Sequence, residues 1–213
     1  IRDYQRGQTG VFVAQLRAGI EAAALDPDAM LMVSGGPTLH AAGPRSEALS
    51  YVELAFARGF WGAIDVASRT VTEEAALCSH LNYLNALCRF AECCDGRWPE
   101  SVQVISWAEK AERIDLHRAA CRYPAERHSF TGIGPFCDRP EAIRNERLTL
   151  KLYQDDLCGN GPELLKKRER RNPHRIPWRH RYAYLDPAIA ELYNHVGAEI
   201  IGTQMPWELE SEQ

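Results

Sequence analysis

Four groups of residues carry the polar and charged side chains from which a ligand site could be built. Ser34-Gly35-Gly36 follows a short apolar run, and its two glycines let backbone amides approach an anion closely. Arg45, Ser46 and Glu47 open a helical pattern whose first N–H groups lack intrahelical acceptors and favour negative charge. Thr70, Thr72, Glu73 and Glu74 form the third group. Ser106 and Lys110 form the fourth, with Arg113 one helical turn beyond Lys110. Together they suit an anionic small molecule, of which phosphorylated or nucleotide-like substrates fit best. Ser34, Gly35, Gly36, Arg45, Ser46, Thr72 and Ser106 would supply amides, hydroxyls and a guanidinium, and Lys110 and Arg113 would act as cationic contacts. Glu47 and Glu74 are the acid/base candidates, because a crevice can desolvate a carboxylate.

Each residue also has an ordinary structural reading. The glycines can form a tight strand exit, Ser46 and Thr72 can be helix caps, and Lys110 and Arg113 can be a solvated face. The case for a site rests on convergence at one sheet edge. The pattern is neither a G-x-G-x-x-G turn nor a G-x-x-x-x-G-K-[ST] loop, and no G-x-S-x-G elbow surrounds Ser34, Ser46 or Ser106. His117 and His128 have no second ligand four residues on, so a metal site is not expected. None of the seven cysteines forms a C-x-x-C pair. Cys78 and Cys88 fall among leucines and read as small buried hydrophobes in a reducing, cytoplasmic setting. The vicinal Cys93-Cys94 pair is an alternative redox or metal feature.

The elements that must position these groups alternate. Phe12, Leu16 and Ile20, spaced by four, predict a helix over 9–24, stopped by Asp26-Pro27-Asp28. Residues 30–33 predict a strand buried on both faces, and Ser46 caps the next helix. Residues 63–66 are expected as a second strand, with Thr72 capping a long helix whose buried stripe is Leu77, Leu81, Leu84, Cys88 and Ala91. A third strand over 102–106, a helix over 109–122 and a fourth strand over 129–133 follow. Strand–helix alternation without hairpin signals implies an α/β fold with a mainly parallel sheet, in which ligands bind at the carboxyl ends of the strands. Helices over 141–157 and 187–195 complete the pattern. The expected division is a core over 1–134 and a helical, basic extension over 135–213.

The ordered set Leu31-Met32-Val33-Ser34-Gly35-Gly36, Ser46-Glu47-Ala48, Thr72-Glu73-Glu74 and Ser106 with Lys110-x-x-Arg113 resembles domain-of-unknown-function family 218, which includes the SanA-, YdcF- and ElyC-like bacterial proteins. Gly43-Pro44-Arg45-Ser46-Glu47-Ala48, Leu116-His117-Arg118-Ala119-Ala120 and Lys167-Arg168-x-x-Arg171-Asn172-Pro173 are closer to its eukaryotic, chiefly fungal branch. The resemblance implies a Rossmann-like three-layer sandwich and an enzymatic site of unassigned reaction, and S-adenosylmethionine is a cofactor to consider. The alternative is a non-catalytic sensor of a nucleotide or S-adenosylmethionine. The chain departs from the family in two places. Lys110 stands where the family has histidine, and the asparagine of its T-x-E-N segment has no counterpart beside Glu74. The resemblance also places the family's first strand ahead of residue 1, where the chain opens polar, without methionine or a signal-peptide pattern.

Composition narrows the classes further. The 213 residues are 45% apolar and 25% charged, values of a globular domain rather than a disordered or collagenous chain. No apolar run approaches a membrane span. The net charge of −4 conceals a basic stretch over 166–181, which holds eight Lys or Arg against one Glu, interleaved with Trp178 and followed by Tyr182 and Tyr184. Basic and aromatic residues together could follow a nucleic-acid backbone, but the acidic balance of the whole argues against it. The stretch otherwise packs on the acidic body, or sends some arginines into the site to clamp an anion.

Overall fold

A computed structural model of the chain describes residues 9–134 and 140–209. The polar opening at residues 1–5, Cys137 and the last residues of the acidic tail lie outside them. The first helix, α1 (Thr9–Ala24), turns Leu16, Ile20 and Ala23 inward, as the spacing of four requires. Asp26 ends the turn beyond it, its carboxylate accepting the Asp28 amide at 2.9 Å. Next come β1 (Leu31–Ser34) and α2 (Glu47–Ala57), the latter capped by the Ser46 hydroxyl, which accepts the Leu49 amide at 2.9 Å.

The second strand does not lie at 63–66. Residues Ile64–Arg69 form a 3-10 turn, and β2 is Thr70–Glu73. Gly59–Gly62 enters this turn with Phe60 and Trp61 at φ of 48° and 49°. That left-handed backbone is unfavourable for aromatic residues, and the fully buried Phe60 ring holds it in place. Arg69 then donates to the Ala29 carbonyl at 2.6 Å and the Asp26 carbonyl at 2.9 Å, docking the turn on the loop ahead of β1. The β-branched run Thr70-Val71-Thr72 is the better strand former. Thr72 therefore lies inside β2 and caps nothing, and α3 (Ser79–Cys93) starts later than expected.

The remaining elements are β3 (Val102–Trp107), α4 (Ala111–Ala120), β4 (His128–Ile133), α5 (Pro140–Asp155), α6 (Pro162–Arg170) and α7 (Pro187–Asn194). The chain is thus mixed α/β, with its strands in two parallel pairs. β1 pairs with β2 in the register Leu31↔Thr70 to Ser34↔Glu73, and β3 pairs with β4 from Val102↔His128 to Trp107↔Ile133. Among the described residues β1 and β3 each keep one edge without a strand neighbour. Gly19 of α1 nevertheless approaches both, since a Cβ there would lie 3.2 Å from Leu31 and 3.9 Å from Ile105.

Two cores hold these elements. The smaller gathers Leu16, Ile20, Ala55, Phe60 and Val66, with Leu31, Tyr51 and Leu54 packed against it. The larger joins Leu77, Leu81, Leu84 and Cys88 to Ile114 and Tyr123, and then to Trp178, Tyr182, Ile189, Leu192, Met205 and Trp207. Residues on both sides of 134 therefore share it. Among the described residues no helix is long and apolar enough to cross a membrane.

Candidate functional site

The segment after β1 closes on itself. The Gly35 amide donates to the Glu73 carbonyl at 2.9 Å and the Gly36 amide to the Ala76 carbonyl at 2.8 Å. In return the Glu47 and Ala48 amides donate to the carbonyls of Gly36 and Gly35, at 3.3 and 3.0 Å. A Cβ on Gly36 would lie 2.7 Å from the Ala76 carbonyl oxygen, so only glycine permits this approach. The amides expected to receive an anion thus hold β1, β2 and α2 together.

The two acid/base candidates are exposed and tied to hydroxyls. Thr38 donates to Glu47 at 2.7 Å, while Ser46 and Thr72 donate to the two oxygens of Glu74 at 2.5 and 3.0 Å. Arg45 pairs with Glu53 of α2 at the surface. Ser106 lies within β3, one residue before its end and beside Gly132 of β4. The buried carboxylate is the neighbour, Glu73, only 1% exposed. It accepts from Ser34 at 2.9 Å, from the Ala75 and Ala76 amides at 2.8 and 3.2 Å, from Asn85 at 3.3 Å and from Tyr182 at 3.4 Å. Burial raises its pKa above the usual carboxylate value, more than these donors lower it.

Cations gather past the end of β3. Arg113, on the buried face of α4, forms a two-pronged pair with Glu146 of α5 at 2.5 and 2.7 Å, and its third nitrogen donates to Ser79. Lys167, Arg168 and Arg171 arrive from α6 and the turn after it. With Cys78, Ser79 and Arg113 they line one cavity, which offers about 20 Å³ clear of its walls, room for a water-sized group. Lys167 donates to Thr149 at 3.1 Å, and among the described residues no carboxylate pairs with it. Burial, then Arg171 and Arg113, draw its pKa down to about 8. Half-buried Lys110 is also lowered to about 8, by burial and Arg113 first, then by Arg171 against the opposing fields of Glu146 and Glu47. Lys110 therefore senses both the strand-end carboxylate Glu47 and the basic segment.

Arg168, 1% exposed, is stacked 4.6 Å from the Trp178 ring centre and donates to Asn160 and to the Cys158 carbonyl at 2.9 and 3.1 Å. Among the described residues its Nε and that of Arg171 are buried without acceptors. Leu77, expected in the buried stripe, and Cys78, read as a small buried hydrophobe, both precede α3, and Cys78 lines the cavity. Burial alone would raise its thiol pKa, but Arg168 and the Tyr153 hydroxyl more than offset this and hold it below the usual thiol range. Beside it, Ser79 Oγ lies 2.8 Å from His117 Nε2. His117 is fully buried, and burial followed by the neighbouring His80 and Arg113 holds its pKa well below that of free imidazole.

Of the residues named from sequence, Lys110 and Arg113 converge, with Glu47 near Lys110. Ser34, Gly35, Gly36, Ser46, Thr72 and Glu74 form a connected hydrogen-bonded wall around Glu73, and Arg45 turns to Glu53. Sequence reading placed Glu73 in its third group without giving it a role, weighed His117 only as a metal ligand, and missed Ser79. His117 stands four residues after Arg113, so the two share a helix face, which is the signal that could have revealed it. Compared with protein-family models, with curated proteins and with solved structures, the chain matches none.

Proposed function

We propose that the chain is a family-218-like enzyme acting on a phosphorylated or nucleotide-like small molecule, bound past the carboxyl ends of the strands. In the same reading the two parallel pairs belong to one Rossmann-like three-layer sheet with the order β2-β1 and then β3-β4. Its support is the single helix, α1, that packs on Leu31 of β1 and Ile105 of β3, between two open strand edges. The observation that carries the ligand class is the cation group. Arg113, Lys167, Arg168 and Arg171 line one cavity, with Lys110 close enough to feel Arg113 and Arg171, and among the described residues the carboxylate that pairs with a cavity-lining cation is Glu146, on Arg113. Like charges kept this close out of water are costly unless an anion neutralises them. Burial first, and then the neighbouring arginines, lower the pKa of both lysines.

Calorimetry with sulfate, pyrophosphate, ATP and S-adenosylmethionine tests the reading. Binding of a multiply charged anion is expected, weakened about tenfold or more by Lys167→Ala or Arg171→Ala, the usual loss for a charge-assisted contact. If no anion in the panel binds, the reading is wrong. Glu47→Gln and Glu74→Gln then separate an enzyme from a sensor: lost turnover with retained affinity marks catalysis, whereas loss of both marks a binding site without chemistry.

A further inference from the structure

We infer that Ser79 is a nucleophile for phosphoryl transfer, with His117 as its general base. The inference rests on the anion reading above and adds the bond-breaking residues to it. Arginine can only donate, so Ser79 Oγ accepts from Arg113. Among the described residues the one acceptor in reach of the Ser79 hydrogen is His117 Nε2, at 2.8 Å. That requires the imidazole to be neutral with its proton on Nδ1, and its burial and its neighbours His80 and Arg113 keep it neutral. A serine hydroxyl donating to a neutral imidazole is the pairing that general-base activation uses, and Arg113, which donates to the same oxygen, would stabilise the alkoxide as it forms. His117 Nδ1 is buried with no acceptor among the described residues, so packing alone orients the ring.

The surroundings suit a phosphoryl group. Ser79 is the first residue of α3, at the positive end of a 15-residue helix. It lines the cavity that Lys167 and Arg171 also line, and because the enclosed space holds only a water-sized group, the phosphoryl group would sit at its mouth. Two further groups point to a ligand there. Arg168, 1% exposed, donates through both terminal nitrogens to Asn160 and Cys158, but among the described residues its Nε has no acceptor, and neither does Arg171 Nε.

The step balances with water as the only co-reactant. Ser79 Oγ attacks the phosphorus of a phosphate monoester while its proton passes to His117 Nε2. The bond from phosphorus to the leaving oxygen breaks, and that oxygen takes the proton from His117. Water then attacks the phosphoserine, giving one proton to His117. Inorganic phosphate leaves, and the proton returns to Ser79. Arg113, Lys167 and Arg171 hold the non-bridging oxygens throughout.

Orthovanadate, which adopts the five-coordinate geometry of the transferring phosphoryl group, is compared with sulfate by calorimetry on the full chain. The intact protein is expected to bind vanadate at least about 100-fold more tightly than sulfate, as transition-state mimics do. Ser79→Ala should remove that advantage while leaving sulfate affinity within about twofold, and His117→Gln should reduce it. Equal affinities in the intact protein would overturn the nucleophile and leave the anion site standing. So would an advantage that survives Ser79→Ala but vanishes in Cys78→Ala, which would transfer the role to the thiol. Absence of sulfate binding altogether would overturn the anion reading itself.

Discussion

Lys110 and Lys167 lie near a pKa of about 8, in the range where small changes in pH alter the charge of the cavity. An anion bound beside them favours their protonated forms, so the bound state holds more protons than the free state above that pH. Affinity is therefore complete below about 8 and falls as pH rises through it. Sulfate is the suitable probe because its own charge does not change over this range. Measured from pH 6.5 to 9.5, its dissociation constant should rise above pH 8 by about tenfold per pH unit for each lysine engaged. A flat profile would mean that neither lysine faces the anion. The same residues show how far a sequence can be read. Lys110 and Arg113 were visible because a helix start after a strand presents its side chains at the sheet edge. Ser79 and the pair Lys167 and Arg171 come from two stretches far apart in sequence, and only tertiary packing brings them to one cavity.

At the scale of elements, Glu73 ties the end of β2 to β1 through Ser34, to α3 through Asn85, and to the C-terminal segment through Tyr182. Removing its carboxylate would strand several buried donors at once. Glu73→Ala is expected to destabilise the fold by about 3 kcal/mol or more, read as a lower urea midpoint, because each buried donor left without an acceptor costs about 1–3 kcal/mol. A change under about 1 kcal/mol would show that the donors find water instead. Element boundaries were legible where local pattern and burial agree: α1 falls at Thr9–Ala24, and β3 and β4 match within a residue. The pattern failed at Ala63-Ile64-Asp65-Val66, where apolar content resembles a strand but the preceding glycines and left-handed Phe60 and Trp61 force a turn. It failed again at Thr72, since a hydroxyl followed by two acids reads equally as a cap or as a strand exit.

Across the whole molecule, the larger core is assembled from distant parts of the chain. Trp207 is 1% exposed, donates its indole N–H to the Cys121 carbonyl at 3.0 Å, and packs edge-on against Trp98 with ring centres 5.1 Å apart. Trp207→Ala should cost about 3–5 kcal/mol. Denaturation followed by far-ultraviolet and aromatic signals should still give one coincident transition, since α3 and α4 share that core. Two separated transitions would show instead that residues 135–209 melt independently. The Tyr182–Glu73 and Tyr193–Asn85 hydrogen bonds span 109 and 108 residues, and this spacing bears on how the chain is made. During synthesis β2 and α3 emerge long before the tyrosines that cover them. Until then the Glu73 carboxylate stays in water and the leucine stripe of α3 lies bare, because closing so long a loop brings no contact until its far end exists. The nascent chain thus passes through an extended, sticky interval that ends only when its aromatic C-terminal segment is delivered. Its yield in a cell should accordingly depend on chaperones that shield α3 in that interval.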